Sequence, residues 1–334
     1  MKKLFAVLMS VVLVAAMLCG CQSSSEADVG TDAVSYKVGV LQYATHSSLD
    51  NCYQGLVEGF AEYGLVEGEN LTVDLQNSNA DMSTGDLQAK NMVTDGCDLI
   101  VGIATPSAMS AYAAARDEDI PVVFDAVSDP VAAGIVKSLE EPGVNCTGSS
   151  DVLNFDSQLT MIRAFLPDAK VIGVLYTTGE ANSISQLARL EEAASNYGFT
   201  IESIGVTNSS EVAAAAASIV AKGVDCLTNL TDNNVVDCLS VVLHETNAAG
   251  IPVFGSEEEQ VKNGCLASMS IDYVALGRES GRMAAQILLG EKTAAEMPVS
   301  TDSETFAIYN STVAAELGIE LPAEYADIQD AAAE

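Results

Sequence analysis

The chain is poor in cations, in histidine and in the short signatures of common enzymes. Its 334 residues carry 14 Lys and Arg against 47 Asp and Glu, a net charge of −33. That deficit argues against nucleic-acid binding and against electrostatic adhesion to an anionic bilayer, both of which need a basic surface. Only two histidines occur, His46 and His244. His244-Glu245 lacks the second histidine of H-E-x-x-H, and His244 falls mid-helix among apolar residues. G-x-S-x-G, the P-loop and G-x-G-x-x-G are also missing. No acidic pair stands out as a glycosidase dyad. Beyond Cys21 there are six cysteines, at 52, 97, 146, 226, 238 and 265, and none forms CxxC or a zinc spacing with histidine. They sit singly in apolar elements, so buried free thiols are expected, with a Cys226–Cys238 bridge left open. No metal and no cofactor is expected.

What is present begins at the N-terminus. Met1-Lys2-Lys3 is a short basic start, and 4–18 is an apolar run. At about 15 residues it is too short for an ordinary membrane-spanning helix and reads as a secretory signal peptide. Leu18-Cys19-Gly20-Cys21 resembles a bacterial lipobox, in which the last cysteine takes the lipid. Residues 1–20 are expected to be removed and Cys21 to be lipidated; a plain signal peptide cut nearby is the alternative. Loss of Lys2 and Lys3 would take the net charge from −33 to −35. Residues 21–34 are Ser-, Gly- and acid-rich and read as a flexible tether. The chain is thus expected on the extracytoplasmic face of a bacterial cell membrane, held by its lipid.

The remaining 300 or so residues suggest two lobes. Strands are expected at 36–43, 71–75, 98–103 and 120–127, with helices at 49–63, 84–94 and 106–115 between them. Strands apolar throughout, separated by helices, imply βαβ units and a buried parallel sheet. The pattern restarts with strands at 171–176, 200–206, 224–230 and 251–254 and helices at 184–197, 211–221 and 235–248. Gly96-Cys-Asp-Leu-Ile recurs as Gly223-Val-Asp-Cys-Leu, and Ile120-Pro-Val-Val-Phe as Ile251-Pro-Val-Phe. Strand 266–271, helix 273–289, strand 305–309 and helix 311–317 then break the order. Such late segments imply a chain that crosses between lobes, near 145–156, 264–272 and 289–299. The expected fold class is α/β, with two Rossmann-like parallel-sheet lobes joined by a three-segment hinge. The first lobe comprises 35–149 plus 272–293 and the second 150–271 plus 294–322, with 323–334 as an acidic tail.

Five motifs narrow this further. They are Leu49-Asp50 after His46, Asp129-Pro-Val-Ala-Ala-Gly-Ile-Val136, Asn145-Cys-Thr-Gly148, Gly179-Glu-Ala-Asn-Ser183 and Ile271-Asp-Tyr-Val-Ala-Leu-Gly277. In this order they resemble the tryptophan/tyrosine-type ABC substrate-binding family, over about 36–322. Cys146 departs from the valine of that pattern. The resemblance implies a type I periplasmic binding protein that captures a small molecule, an aromatic amino acid first, and delivers it to ABC permease and ATPase subunits. A monomer is expected. A sensor that presents the solute to a receptor is the alternative, and an exported enzyme a weaker one. A transcription regulator of this fold would need a DNA-binding headpiece where the signal peptide stands.

In parallel sheets, ligands bind beyond the carboxyl ends of the strands. After strand 98–103, Thr105 would cap a helix begun by Pro106, and with Ser107 it would seat a carboxylate at the helix start. In the second lobe, Asp232 would face an ammonium or simply cap its own helix; burying either pole of an amino acid unpaired is costly. Gln42, Tyr43 and His46 follow the first strand, and Tyr176, Glu180, Asn182 and Ser183 lie at the end of strand 171–176 or beyond it. Tyr43 and Tyr176 are candidate stacking surfaces. Ser128, Asp129 and Asp272 would bind ligand or hold the hinge and helix caps. Glu180, Asp129 and Glu257 are the further acids for an ammonium.

Overall fold

Buried, β-branched runs form the inner strands, and helices with one apolar face cover them. β1 (Tyr36–Gln42), β2 (Leu71–Asn77), β3 (Leu99–Ile103), β4 (Val122–Asp125) and β5 (Cys146–Gly148) make a parallel sheet in the order β2-β1-β3-β4-β5. Every residue of β3, Leu-Ile-Val-Gly-Ile, is buried, as in a strand covered on both faces. The helices are α1 (Ser47–Glu62), α2 (Met82–Thr94) and α3 (Thr105–Ala115). Asp81 caps α2 by accepting from the Thr84 N–H at 2.6 Å. Gly102 lets α3 lie on β3, since a Cβ there would come within 2.5 Å of the Ala108 Cα. This computed structural model describes residues 35–301 and 305–333. Cys21, the signal segment and the expected tether up to residue 34 lie outside them.

The second lobe repeats the plan. β6 (Val171–Thr177), β7 (Thr200–Val206), β8 (Cys226–Thr228) and β9 (Val253–Phe254) are parallel in the order β7-β6-β8-β9. Around them stand α4 (Phe155–Phe165), α5 (Ala181–Ala194), α6 (Val212–Ala221), α7 (Asn233–Asp237), α8 (Leu239–Ala249) and α9 (Glu258–Lys262). β10 (Ala267–Ile271), β11 (Thr305–Tyr309) and β12 (Gln329–Asp330) form a third ladder, β10 and β11 being antiparallel. It continues from β9, because Leu266 N–H donates to Val253 O at 2.7 Å.

α10 (Tyr273–Leu288) returns to the first lobe and packs along α1. Glycines permit the close approach: a Cβ on Gly55 would fall on the Val274 carbonyl oxygen, and one on Gly277 on that of Cys52. Arg278 bonds Glu58 at 2.5 Å at the edge of the same interface. α11 (Ser311–Leu317) follows β11.

Several expectations shift. Helix 235–248 is broken at Cys238 into α7 and α8. Strand 120–127 stops at Asp125, because Ala126 turns to φ 54. Helix α4 stands in a stretch that carried no expectation. The segment after α10 stays with the first lobe past residue 294: Thr147 Oγ1 donates to Met297 O at 2.7 Å and Ser300 N–H to Gly148 O at 2.9 Å. Its passage to β11 therefore falls after Ser300. The expected tail is folded in part, with β12 paired to β11 and the Tyr325 ring 5.9 Å from that of Phe165. Cys52, Cys97, Cys146, Cys226 and Cys265 are buried free thiols, and Cys238 is a half-buried one. Among the described residues no helix is long and apolar enough to cross a membrane.

Candidate ligand-binding site

The carboxyl ends of β3, β4, β6 and β8 face one another across a cleft between the lobes. The first lobe supplies His46, Ser48 and Leu49 at the start of α1, Ala104 and Thr105 at the start of α3, and Ala126 and Ser128 beyond β4. The second supplies Asn182, then Thr231, Asp232, Asn233 and Val236 around α7, with Glu257 and Gln260 at α9. Asp151 and Tyr273 enter from two of the crossings. Two lining alanines hold left-handed backbone, Ala104 at φ 75 and Ala126 at φ 54. Such strain in a non-glycine residue costs energy and collects at functional sites.

Thr105 is not the helix cap that the sequence suggested. Ala104 occupies that position, with Thr105 the first helical residue. Its Oγ1 is buried without a partner, as are Ser107 Oγ, His46 Nδ1 and Asn182 Oδ1. Native interiors rarely leave such groups unpaired, because each costs its desolvation. Three of these four residues line the cleft, so a polar guest would satisfy them. The first N–H groups of α3 have no intrahelical partner either.

Carboxyls dominate the opposite side, and among the described residues no Lys or Arg lines the cleft. Asp151 accepts from Ser128 Oγ at 2.8 Å and from the Tyr273 hydroxyl at 2.9 Å. Burial pushes its carboxyl up to about 6. Glu257 caps α9 through the Glu259 and Gln260 N–H groups at 2.7 and 2.9 Å, and burial pushes it up to about 7. Asp232 accepts from the N–H of Thr177, from Thr177 Oγ1 at 2.8 Å, from Ser183 Oγ at 2.6 Å and from Val235 N–H at 3.0 Å. It ties β6 to α7 while one edge lines the cleft. Glu180 lies behind this wall, held by Asn233 Nδ2 at 2.6 Å, and burial followed by the charge of Asp232 pushes it up to about 8. Burial also lowers the His46 imidazole below its usual range.

Of the sequence candidates, His46, Thr105, Ser128, Asn182, Asp232 and Glu257 line the cleft. Gln42 does not; it bonds Ala44 O and Asp50, each at 2.8 Å. Neither Tyr43 nor Tyr176 lines the cleft. Tyr43 is buried in the core with its hydroxyl on Ala80 O at 3.1 Å, and Tyr176 packs against the same core and Gly205. Asp272 is an exposed cap of α10, 2.9 Å from the Val274 and Ala275 N–H groups. Asp129 bonds Ser185 Oγ at 2.6 Å, and Ser183 and Ser107 sit just behind the lining. Sequence reasoning missed Asp151 and Tyr273. Tyr273 lies inside a quoted motif and Asp151 three residues beyond another.

Asp125, at the end of β4, gives a check on this electrostatic picture. It is fully buried, its Oδ2 has no partner, and burial pushes its carboxyl up to about 7. The native state therefore holds a proton that the unfolded chain releases from about pH 4 upward, and stability falls as pH rises to about 7. Asp125→Asn is expected to gain in melting temperature over wild type between pH 5 and pH 8. A difference constant across that range would contradict it.

The family model for ABC transporter substrate binding proteins matches residues 37–330. The chain belongs to this family. It is the solute-binding component of an ABC importer, with the two-lobed α/β architecture of type I periplasmic binding proteins. It is 39% identical over 315 residues to a tyrosine-binding protein of Clostridioides difficile strain R20291, covering 92% of this chain and 90% of that one. A solved ABC domain from Streptococcus pneumonia in complex with L-Trp is 36% identical, with a TM-score of 0.84 over 87% of this chain and 97% of that one. The ligand-free, open structure of a substrate binding protein with adhesive properties from Clostridium difficile is 39% identical but superposes at a TM-score of 0.67, over 88% and 98%.

Proposed function

We propose that this protein captures an aromatic α-amino acid between its lobes and passes it to the ABC permease. It works as a monomer and without catalysis, from a lipid anchor at Cys21 on the extracytoplasmic face of a bacterial membrane. One observation carries the ligand class. Unpartnered Thr105 Oγ1 and the start of α3 face a cleft whose other polar wall holds buried carboxyls with no cation beside them. A carboxylate fits the helix start, and an ammonium supplies the missing positive charge. Asp151 suits the ammonium best, since its partners are side-chain hydroxyls, whereas Glu257 and Asp232 hold backbone N–H groups. Tyr273, Leu49 and Val236 offer the ring a flat and apolar bed. Relatives that bind tyrosine and L-Trp support the same class.

A thermal-shift panel of amino acids, sugars and nucleosides tests this reading. L-Tyr, L-Trp and L-Phe are expected to raise the melting temperature most. Stabilisation by a sugar or nucleoside alone would discard the amino-acid assignment. The anchor has its own test. Mass spectrometry of the mature protein should find a diacylated N-terminal Cys21, and Cys21→Ser should release the protein from membranes; an unmodified Cys21 would contradict the anchor.

A further inference from the structure

Two of the family motifs, 129–136 and 179–183, have residues or near neighbours that meet across the cleft without entering the cavity. Ser185, on α5 of the second lobe, donates from Oγ to Asp129 Oδ2 of the first lobe at 2.6 Å. One residue on, Gln186 is fully buried and bridges the lobes. Its Nε2 donates to Ser128 Oγ at 2.7 Å in the first lobe and to Thr231 Oγ1 at 2.6 Å in the second. Its Oε1 accepts from Thr231 N–H at 3.0 Å. Ser128 in turn donates to Asp151 on the hinge. None of Ser185, Gln186 and Asp129 lines the cavity.

These bonds can exist only while the lobes are closed. Opening would strip the Ser185 and Gln186 bonds to the first lobe and spare those within the second. The strength of the Ser185–Asp129 bond, neither of whose residues lines the cavity, therefore counts toward closure and not toward recognition of any ligand group. Asp129 keeps its local bond to the Ala132 N–H at 2.9 Å in either state, which holds the carboxylate in place for Ser185.

We propose that Asp129, Ser185 and Gln186 form a latch that sets the population of the closed state, and so scales the affinity for every ligand by one common factor. Ser185 and Asp129 act as positioning residues. A ligand whose binding-competent state is populated less binds more weakly by that fraction, whatever its side chain.

Ser185→Ala, Asp129→Asn and the double variant decide it, in the mature chain carrying Cys21→Ser. Calorimetry with L-tyrosine and L-tryptophan should show both affinities reduced by the same factor in Ser185→Ala, a few-fold and at most about ten-fold, the ceiling set by a lost hydrogen bond to a charged group. The loss should lie in faster dissociation, and the ligand-free melting temperature should fall only by the small stability that the lost closed population supplied, a few degrees at most. Adding Ser185→Ala to Asp129→Asn should cost much less than it does in wild type. Small-angle scattering should show a larger radius of gyration in ligand-free Ser185→Ala than in ligand-free wild type, the two converging at saturating amino acid. Unequal loss for the two amino acids would overturn the latch. So would the full effect of Ser185→Ala persisting beside Asp129→Asn. If neither amino acid binds, the proposed ligand fails, yet scattering of the ligand-free protein still decides the latch: an unchanged radius overturns it.

Discussion

Asp151→Ala is expected to remove nearly all binding of an α-amino acid. Losing one partner of a desolvated charge pair costs about 2–5 kcal/mol, or roughly 30- to several-thousand-fold in affinity. Asp151 is buried at 2% exposure on a crossing between the lobes, where each lobe and the guest can bear on it. Its two hydroxyl partners leave lone pairs for an ammonium. The ligand-free protein should tolerate the change, since a carboxyl pushed up to about 6 by burial is one whose charge the fold does not favour. Calorimetry on folded Asp151→Ala reads the effect. Affinity within a few-fold of wild type would move the ammonium to Glu257, the other acid on the cleft wall with a raised carboxyl.

Asp232→Ala should act on the fold first. Its carboxylate satisfies two backbone N–H groups and two hydroxyls at once, all buried or nearly so. Truncation leaves those donors unpaired, and a broken buried network costs about 3–5 kcal/mol. At roughly 2–4 °C per kcal/mol, the melting temperature should drop by about 6–20 °C. Asp232→Asn keeps part of the network and should lose less. Loss of binding with an unchanged melting temperature would reverse the assignment, making Asp232 the ligand's own partner.

The lobes were legible because parallel-sheet physics writes itself locally. Leu99–Ile103 is apolar throughout, and the recurrence of Ile-Pro-Val near 120 and 251 marks equivalent strands. The cleft loops followed from one rule, that ligands gather beyond strand carboxyl ends. What stayed hidden depends on tertiary placement. Tyr43 and Tyr176 stand at the ends of the right strands, but Tyr43 is buried in the core and Tyr176 lies half-buried against it. Asp151 stands on a crossing, outside any strand–helix loop, so the rule passed over it. Helix α4 has its apolar residues Phe155, Leu159, Ile162 and Phe165 at helical spacing, but the stretch abuts a crossing and held no cap signal stronger than Asn154. Asp129 and Ser185 are joined only by closure of the lobes, which no local pattern encodes.

The central claim is that both poles of an amino acid are held in one interlobe cavity. Calorimetric titration of L-tyrosine beside tyramine and 3-(4-hydroxyphenyl)propionate tests it most directly. The account predicts firm binding of L-tyrosine and at least about 30-fold weaker binding of each analogue, one lacking the carboxylate for Thr105 and α3, the other the ammonium for Asp151. Equal binding of either analogue, or no heat from any amino acid, would contradict it.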